Sequence, residues 1–437
     1  MLTTLKNAFK IKEIRQKLLF TLAMLVVIRL GSQLPVPGVD PTFFAQWFEA
    51  QTGGMSSFYD AITGGSFMNM SILALNISPY ITSSIIMQLL TIAIPKLEEM
   101  QRDGEDGRKK IASITRYVTV ALALIQSAAM AIGFGNQGYL IEYNALNVIT
   151  AVVALTAGSA FLMWVGEQIT EHGVGNGISI VLVINIISRL PADLNTLFEK
   201  FVFGKAPATA VLGVVIIFAV IIAMVVLVII LNGGIRKIPV QYAKKMQGRK
   251  IVGGQTSSIP LKVNTSGVIP VIFAQSIMQF PIIICTFIQY EGTGVWGEIL
   301  KGLNSQYWCV PSQPIYSIGL LVYVLLIVFF AYFYTSITFN PLMIADNMKK
   351  QGGFIPGIRP GQSTSEYLNK VLNYIVFIGA VGLIIVAVIP YIFSGIFGAQ
   401  VSFGGTSLII IVSVILETVK QIESQMLVRN YKGFLDN

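Results

Sequence analysis

Side chains capable of acid–base, nucleophilic or metal chemistry are scarce in this sequence. It contains one histidine, His172, and two cysteines, Cys285 and Cys309. One histidine excludes most metal sites and most histidine-based catalysis, because both need additional partners. Two distant cysteines do not indicate a disulfide framework, and the glycine-rich run GEQITEHGVGNGIS is only a weak match to a nucleotide loop because no strand precedes it. We therefore expect no catalytic residue, no metal site and no cofactor.

Charged side chains inside the apolar segments are also few. Arg29, Glu167 and Glu417 all lie near the ends of their segments. No central Asp, Glu or Lys is present to relay a proton or hold a coupling ion, which argues against an ion-coupled secondary transporter. Arg29 has two interpretations, an intramembrane functional charge or a side chain that extends to the membrane surface, and we favour the second.

Hydroxyl and amide side chains recur with helical spacing inside apolar segments. In NISPYITSSIIMQLL and the residue after it, Ser84, Gln88 and Thr91 form one stripe beside Ile81 and Ile85. Three other segments repeat this pattern. Their members are Leu182 with Ser179 and Asn185, Ile272 with Gln275, Ser276 and Gln279, and Ile410 with Thr406, Ser407 and Ser413.

These stripes allow two interpretations. Hydroxyl and small side chains commonly join membrane helices to one another. The same side chains can instead line an aqueous path, in which case the aliphatic residues would form a constriction that excludes water and ions. One helix alone favours packing, whereas four helices bring the two interpretations close to equal weight.

The composition identifies the elements that must position these residues. Of 437 residues, 54% are apolar and 12% are charged, whereas a soluble protein has about 25% charged residues. A polytopic helical membrane protein follows, in which each span needs about 20 apolar residues. We predict ten spans, the second broken by Pro79. They are Leu18–Leu34, Ser71–Ile94, Ile111–Gly133, Val148–Ile169, Gly177–Leu190, Ala208–Leu231, Ser266–Tyr290, Tyr316–Thr338, Leu368–Phe393 and Thr406–Ser424.

Charge and span number predict the topology. If the N-terminus is inside, 25 of the 30 Lys and Arg residues lie on the cytoplasmic side, so both termini are expected there. Five spans on each side of an external segment would give two halves of opposite orientation. The predicted divisions are a cytoplasmic segment 1–17, a first half 18–190, an external hinge 191–207, a second half 208–424 with cytoplasmic loops 232–265 and 339–367, and a cytoplasmic tail 425–437.

Several motifs carry a resemblance to a known family. They include GSQLPVPGVD, PYITSSIIMQLL, FLMWVGEQITEHGVGNGISI, YAKKMQGRK, GVIPVIFAQSI, FNPLMIADNMKKQGGFIPGIRPG and FGGTSLII. From about Lys12 to the end of the tenth span, the chain resembles the SecY/Sec61-alpha family of protein-conducting channels. The resemblance implies an all-α polytopic fold, with ten transmembrane helices in two pseudo-symmetric inverted five-helix halves that form an hourglass channel with a plug.

The resemblance also assigns roles to residues. An aliphatic ring at the channel waist would consist of Ile81, Ile85, Leu182, Ile272 and Ile410. A plug segment at about 55–75 would include Tyr59, Ile62, Gly64, Gly65, Phe67 and Met68. Polar residues of a lateral gate would be Thr82, Gln88, Gln275, Ser276 and Gln279. Docking of a motor or ribosome would use Lys244, Lys245, Arg249, Lys250, Lys349, Lys350 and Arg359.

The expected function is a passive, gated channel, not an enzyme, in the bacterial cytoplasmic membrane. It would pass unfolded secretory chains across the membrane and release membrane helices laterally. The implied partners are SecE as an obligate clamp, SecG, the motor ATPase SecA, the ribosome, signal sequences and nascent chains, and membrane lipids including anionic lipid. The basic loops alone also fit the ordinary charge rule or lipid binding. A secondary transporter with inverted repeats is the alternative; a membrane hydrolase lacks a nucleophile–base set.

Overall fold

The structure, a computed structural model, is a bundle of helices with a small β-sheet. Four of the predicted site residues, Tyr59, Ile62, Lys244 and Arg249, lie outside the described residues. Those described are 9–40, 42, 44, 46, 63–135, 140–201, 203, 207–242, 245–247, 250–252, 256–287, 294–397 and 405–432.

Each of the ten predicted spans overlaps one helix of the structure. The first part of the chain contains α1 (Lys12–Gly31), α2 (Ser78–Ala93), α3 (Pro95–Arg102), α4 (Glu105–Gly135), α5 (Ala145–His172) and α6 (Gly177–Phe201). The second part contains α7 (Pro207–Gly233), α8 (Ile269–Phe287), α9 (Val295–Leu303), α10 (Ile318–Thr338), α11 (Pro341–Lys350), α12 (Gln362–Phe397) and α13 (Gly405–Lys432).

Length and hydropathy alone single out fewer membrane spans than ten. Among the described residues, five segments meet both criteria, and the pair α2 and α3, bent by 106°, makes a sixth if counted together. The most apolar is Val211–Gly233 of α7, on which large side chains such as Leu212, Phe218 and Ile222 are exposed. A helix that is apolar all round and exposes such residues requires a lipid environment, so the chain is a multi-pass membrane protein.

Pro79 starts a helix instead of breaking one, which corrects the predicted second span. Ser71 forms an isolated bridge with Pro35, residues 72–77 form turns, and α2 begins at Ser78 with Pro79 in its first turn. Proline is favoured at this point because the first amides of a helix have no intrahelical acceptor and its fixed φ suits the helix.

The predicted hinge 191–207 is also shorter than expected. Helix α6 continues through Pro191 to Phe201, and α7 begins at Pro207. A proline inside a membrane helix is tolerated where neighbouring groups satisfy the freed carbonyl. The connection between α6 and α7 is therefore confined to 202–206.

The long loop after α7 contains strands, which corrects the all-α prediction. Strand β1 (Ile235–Tyr242) pairs antiparallel with β4 (Thr256–Lys262), and β5 (Gly353–Phe354) pairs with the end of β1. The short strands β2 (Lys245–Gln247) and β3 (Lys250–Val252) form a second ribbon between them. The two long loops therefore share one sheet, of order β4–β1–β5.

Six buried clusters are found among the described residues, and the four largest organise the packing. Helices from the two parts of the chain meet where α6 packs on α13 and α7, and where α4 packs on α8. We name the clusters by position. The N-terminal cluster includes Phe44, Phe67, Met68, Met130 and Leu155; the C-terminal cluster includes Val271, Phe273, Trp308, Tyr323 and Leu408; the central cluster includes Ile28, Ile77, Leu182, Ile410 and Val414; the loop cluster, beneath the two long loops, includes Ile238, Val240, Met348, Leu368 and Val371.

Candidate functional site: an aliphatic constriction between the two parts of the chain

The residues of the predicted aliphatic ring converge in the structure. Leu182 on α6 and Ile410 on α13 are buried members of the central cluster, and Ile81 on α2 and Ile272 on α8 are partly buried against it. Ile85, one turn further along α2, packs instead against the C-terminal cluster. Four helices thus bring branched aliphatic side chains together where the two parts of the chain meet.

Such a constriction has a definite physical behaviour. Its side chains make no hydrogen bonds, so water between them is unfavourable and ions are excluded. Leu182 differs from the isoleucines at the other four predicted ring positions only by the placement of one methyl group, which conserves the apolar volume.

The polar stripe of α2 proves to be partly a packing surface. Thr91 is buried and its hydroxyl donates to the Met87 carbonyl oxygen at 2.6 Å, and the buried Ser83 hydroxyl donates to the Thr115 carbonyl oxygen of α4 at 2.8 Å. Thr91 therefore does not belong to the wettable edge predicted for this helix. Ser84 and Gln88 remain partly exposed beside it.

The polar stripe of α8 divides in a similar way. Gln275 is buried and its Oε1 accepts a hydrogen bond of 3.0 Å from the Tyr391 hydroxyl of α12. Ser276 is exposed and Gln279 is partly exposed. On this helix, therefore, Gln275 faces into the bundle and only the other two predicted gate residues lie on an accessible side.

The described end of the predicted plug segment packs on the first part of the chain. Phe67 and Met68 are buried in the N-terminal cluster, where the Phe67 ring meets the Phe44 ring edge-on at a centroid distance of 5.6 Å. Gly64 and Gly65 have φ values of +64° and +87°, which favour glycine. A Cβ at Gly64 would lie 2.8 Å from the Asn185 carbonyl oxygen, whereas nothing lies within 4 Å at Gly65.

Arg29 contacts the predicted plug segment, which neither interpretation of its charge anticipated. It is partly buried, and its Nη1 donates a 3.1 Å hydrogen bond to the Gly64 carbonyl oxygen. The Ser188 hydroxyl of α6 reaches the same oxygen at 3.4 Å. The available signal was the charge itself, since an ionisable residue inside a span is by default a functional candidate.

The contact between two buried asparagines, Asn76 and Asn185, was not predicted from the sequence. The Nδ2 of Asn185 on α6 donates to Oδ1 of Asn76 at 3.1 Å, and the Ser159 hydroxyl of α5 donates to the Asn76 carbonyl oxygen at 3.1 Å. Asn76 has a φ of +51°, a conformation that asparagine tolerates better than most residues. This contact fixes the segment that leads from the predicted plug segment into α2.

Three of the described docking residues lie on one module. Lys349 and Lys350, in the last turn of α11, are exposed, and so is Arg359 in the loop before α12. This module consists of strands β1 and β4, helix α11 and the start of α12, which surround the loop cluster. Lys245 and Lys250 lie on the β2–β3 ribbon.

The single histidine and the two cysteines lie apart from one another among the described residues. His172 lies with Phe20, Lys17 and Glu13 in an open cleft of about 580 Å³ between α1 and α5. Cys285 and Cys309 are not joined to each other. Within the described residues, no group of three His, Cys, Asp or Glu side chains could hold a metal ion.

Comparison with known proteins gives one consistent result. The SecY family model matches residues 71–419. The chain is 45% identical to the protein translocase subunit SecY of Streptomyces galbus and 40% identical to that of Bacillus subtilis, each over the full length of both proteins. A solved protein-conducting channel superposes with a TM-score of 0.62 at 19% identity, covering 94% of this chain and 92% of that one. Sec61 of a canine ribosome–channel complex gives 0.61 at 18% identity, with 94% and 92% covered.

Proposed function

This chain belongs to the SecY family and is a protein translocase subunit, and we propose that it forms the central protein-conducting channel of that translocase. The observation that supports this proposal best is the convergence of Ile81, Leu182, Ile272 and Ile410 from four helices on one cluster. Two of those helices come from each part of the chain. A constriction built in this way opens when the two parts separate.

The constriction explains how a channel accepts many substrates. Branched aliphatic side chains form no sequence-specific hydrogen bonds, so they fit loosely around any unfolded polypeptide. While the channel is at rest, the same side chains exclude ions. Separation of α2 and α4 from α8 and α10 would release apolar helices sideways into lipid, with Thr82, Gln88, Ser276 and Gln279 on the polar edges. Gln275 would reach that edge only if it left Tyr391.

The plug segment at about 55–75 would close the channel on its outer side. Its described end is held by contacts with α1 and α6, through Arg29 and Ser188, and Ser159 of α5 holds Asn76, which follows the segment. A chain entering the channel would displace the segment, including Tyr59 and Ile62. Ten spans in two inverted halves, with both termini in the cytoplasm of a bacterial cell, complete this proposal.

The driving force would come from partners, because no catalytic arrangement is found among the described residues. SecA or a ribosome would dock on the module that presents Lys349, Lys350 and Arg359, together with Lys244, Lys245, Arg249 and Lys250. Cations on an ordered protrusion suit phosphate or acidic surfaces. One solved relative is described as a ribosome-bound channel. SecE, SecG, signal sequences and anionic lipid would be further partners.

Vesicles provide the test of this function. The chain, co-purified with its clamp subunit, is reconstituted and supplied with the motor ATPase, ATP and a radiolabelled secretory precursor. We expect the precursor to become protease-protected only with ATP and motor together. Uptake of small solutes into the vesicles driven by an ion gradient, with no protease-protected precursor, would favour the secondary transporter instead.

A further inference from the structure

The two helices that carry buried ring residues are each held by a polar side chain at the same relative position. Asn185 follows Leu182 by three residues on α6, and Ser413 follows Ile410 by three residues on α13. Residues three apart lie on neighbouring sides of a helix. A displacement of Asn185 or Ser413 therefore moves a part of the helix that lies within one turn of a ring residue.

On α13 the polar residue is Ser413, the last of three side chains that are linked by hydrogen bonds. The Nδ2 of Asn232 donates to the Ser413 hydroxyl at 2.7 Å, and the Nδ2 of Asn264 donates to Oδ1 of Asn232 at 2.8 Å. Asn232 lies in the last turn of α7, and Asn264 is a buried residue between β4 and α8. We call Asn264, Asn232 and Ser413 the asparagine relay.

The relay starts at the base of the β1–β4 hairpin. The amide of Val263 donates to the Gly234 carbonyl oxygen at 2.9 Å, which closes that base. Helix α12 lies directly against it, because a Cβ at Gly379 would lie 2.5 Å from the Val263 carbonyl oxygen. Any displacement of the hairpin is therefore passed to Asn264, which has little room to absorb it.

The first part of the chain contains a corresponding link. Asn76 lies two residues before α2 and bonds Asn185 of α6; Asn264 lies five residues before α8 and connects through Asn232 to α13. The segment that enters α2 is thus joined to α6, and the segment that enters α8 is joined through α7 to α13. All of these helices except α7 carry a predicted ring residue. One segment leads from the plug, and the other leads from the docking module.

We propose that Asn264, Asn232 and Ser413 are positioning residues that transmit movement of the cytoplasmic hairpin to Ile410 in the constriction. This inference rests on the proposed function, because it takes the hairpin as part of the docking module and Ile410 as part of the constriction. The relay does not touch the translocating chain. A motor that moves the hairpin shifts α13 through directional hydrogen bonds, which are effective in a low-dielectric interior.

A matched pair of variants at one position tests the relay. Ser413→Ala removes the hydroxyl that accepts from Asn232, and Ser413→Thr retains it. In the vesicle assay above, motor affinity for the vesicles and precursor translocated per ATP hydrolysed are measured separately. We expect Ser413→Ala to lower translocation per ATP by about fivefold, the factor associated with one neutral hydrogen bond, with motor affinity unchanged and Ser413→Thr close to wild type.

A second variant separates transmission from simple support of the fold. Asn264→Ala should lower the yield to the same extent, and the double variant Asn264→Ala/Ser413→Ala should be no worse than either one, because residues acting in series are not additive. Three outcomes would each overturn the relay. They are a wild-type yield of translocated precursor per ATP in Ser413→Ala, equal losses in Ser413→Ala and Ser413→Thr, and losses that multiply in the double variant. Failure of the wild-type vesicles to translocate any precursor would instead overturn the proposed function.

Discussion

The guanidinium of Arg29 donates a hydrogen bond to the Gly64 carbonyl oxygen at 3.1 Å, joining the first helix to the described end of the plug segment. Ser188 of α6 approaches the same oxygen. A charged donor inside a span is costly unless it is hydrogen-bonded, and here a backbone oxygen accepts one of its hydrogen bonds. Arg29 is thus placed to hold this segment in the position that the structure shows.

Removing this charge should loosen the plug segment. In Arg29→Met the apolar length is kept but the donor is lost, and a hydrogen bond to a charged group is worth about 1.5–3 kcal/mol. We expect the resting ion conductance of channels in planar bilayers to rise by about tenfold or more, since 1.4 kcal/mol corresponds to a factor of ten. Arg29→Lys, which retains a donor, should leak less than Arg29→Met. Wild-type conductance in both variants would instead favour the interpretation in which Arg29 extends to the membrane surface.

Two adjacent glycines allow steric contact to be separated from backbone strain. Gly64 and Gly65 both have positive φ, so alanine at either position is strained by about 1 kcal/mol. Only at Gly64 would the added Cβ meet Asn185 and Ser188 of α6. Gly64→Ala should therefore raise resting conductance clearly more than Gly65→Ala does. The same conductance in the two variants would show that the contact with α6 does not hold the segment.

The seal at the constriction should depend on apolar character and tolerate changes of shape. Ile410 is buried in the central cluster, and Asn at this position would bring hydrogen-bonding groups and water into it. We expect Ile410→Asn to conduct ions at rest, as should Ile81→Asn, whereas Ile410→Val should remain closed because it costs only about 0.5–1.5 kcal/mol of packing. Bilayer recordings decide the matter, and a closed Ile410→Asn channel would contradict the proposed seal.

Charge reversal at Arg359 should lower motor-driven export without affecting the folding of the chain. The side chain is exposed, and the loop around it is held by a hydrogen bond from the Thr364 hydroxyl to the Arg359 carbonyl oxygen at 2.9 Å. Arg359→Glu should therefore insert normally into the membrane but lower motor-driven export by about tenfold, a typical loss when like charges meet in an interface. Arg108→Glu, an exposed reversal at the start of α4, is the control. Normal export by Arg359→Glu would remove Arg359 from the docking surface.

Neighbouring serines on α2 test the packing role of its hydroxyls. Ser83 donates to the Thr115 carbonyl oxygen of α4 and is fully buried, while Ser84 is only partly buried. Hydrogen bonds between membrane helices contribute about 0.6 kcal/mol on average. Ser83→Ala should lower the midpoint of thermal unfolding in detergent more than Ser84→Ala does. The reverse order would indicate that the structural contact lies on the other side of the helix.

Much of the architecture could be predicted because hydropathy and helical periodicity are local properties. All ten predicted segments overlap helices, and the stripe analysis isolated Ile81, Leu182, Ile272 and Ile410, which meet in one cluster. Two of the failures share one cause. The predicted second span breaks at Pro79 and the predicted fifth span ends just before Pro191, although one proline starts α2 and the other lies inside α6. Whether a proline ends a helix depends on what satisfies the neighbouring carbonyl groups, and that depends on packing.

The sequence by itself determined the class of protein, the approximate helices and the side of each helix on which its polar residues lie. The tertiary structure decided what those polar residues do. Asn185 and Ser413 find their partners 109 and 181 residues away, and Arg29 finds its acceptor in the plug segment 35 residues away. The physical reason is that periodicity defines a face of a helix, whereas a hydrogen bond requires the particular group that covers that face.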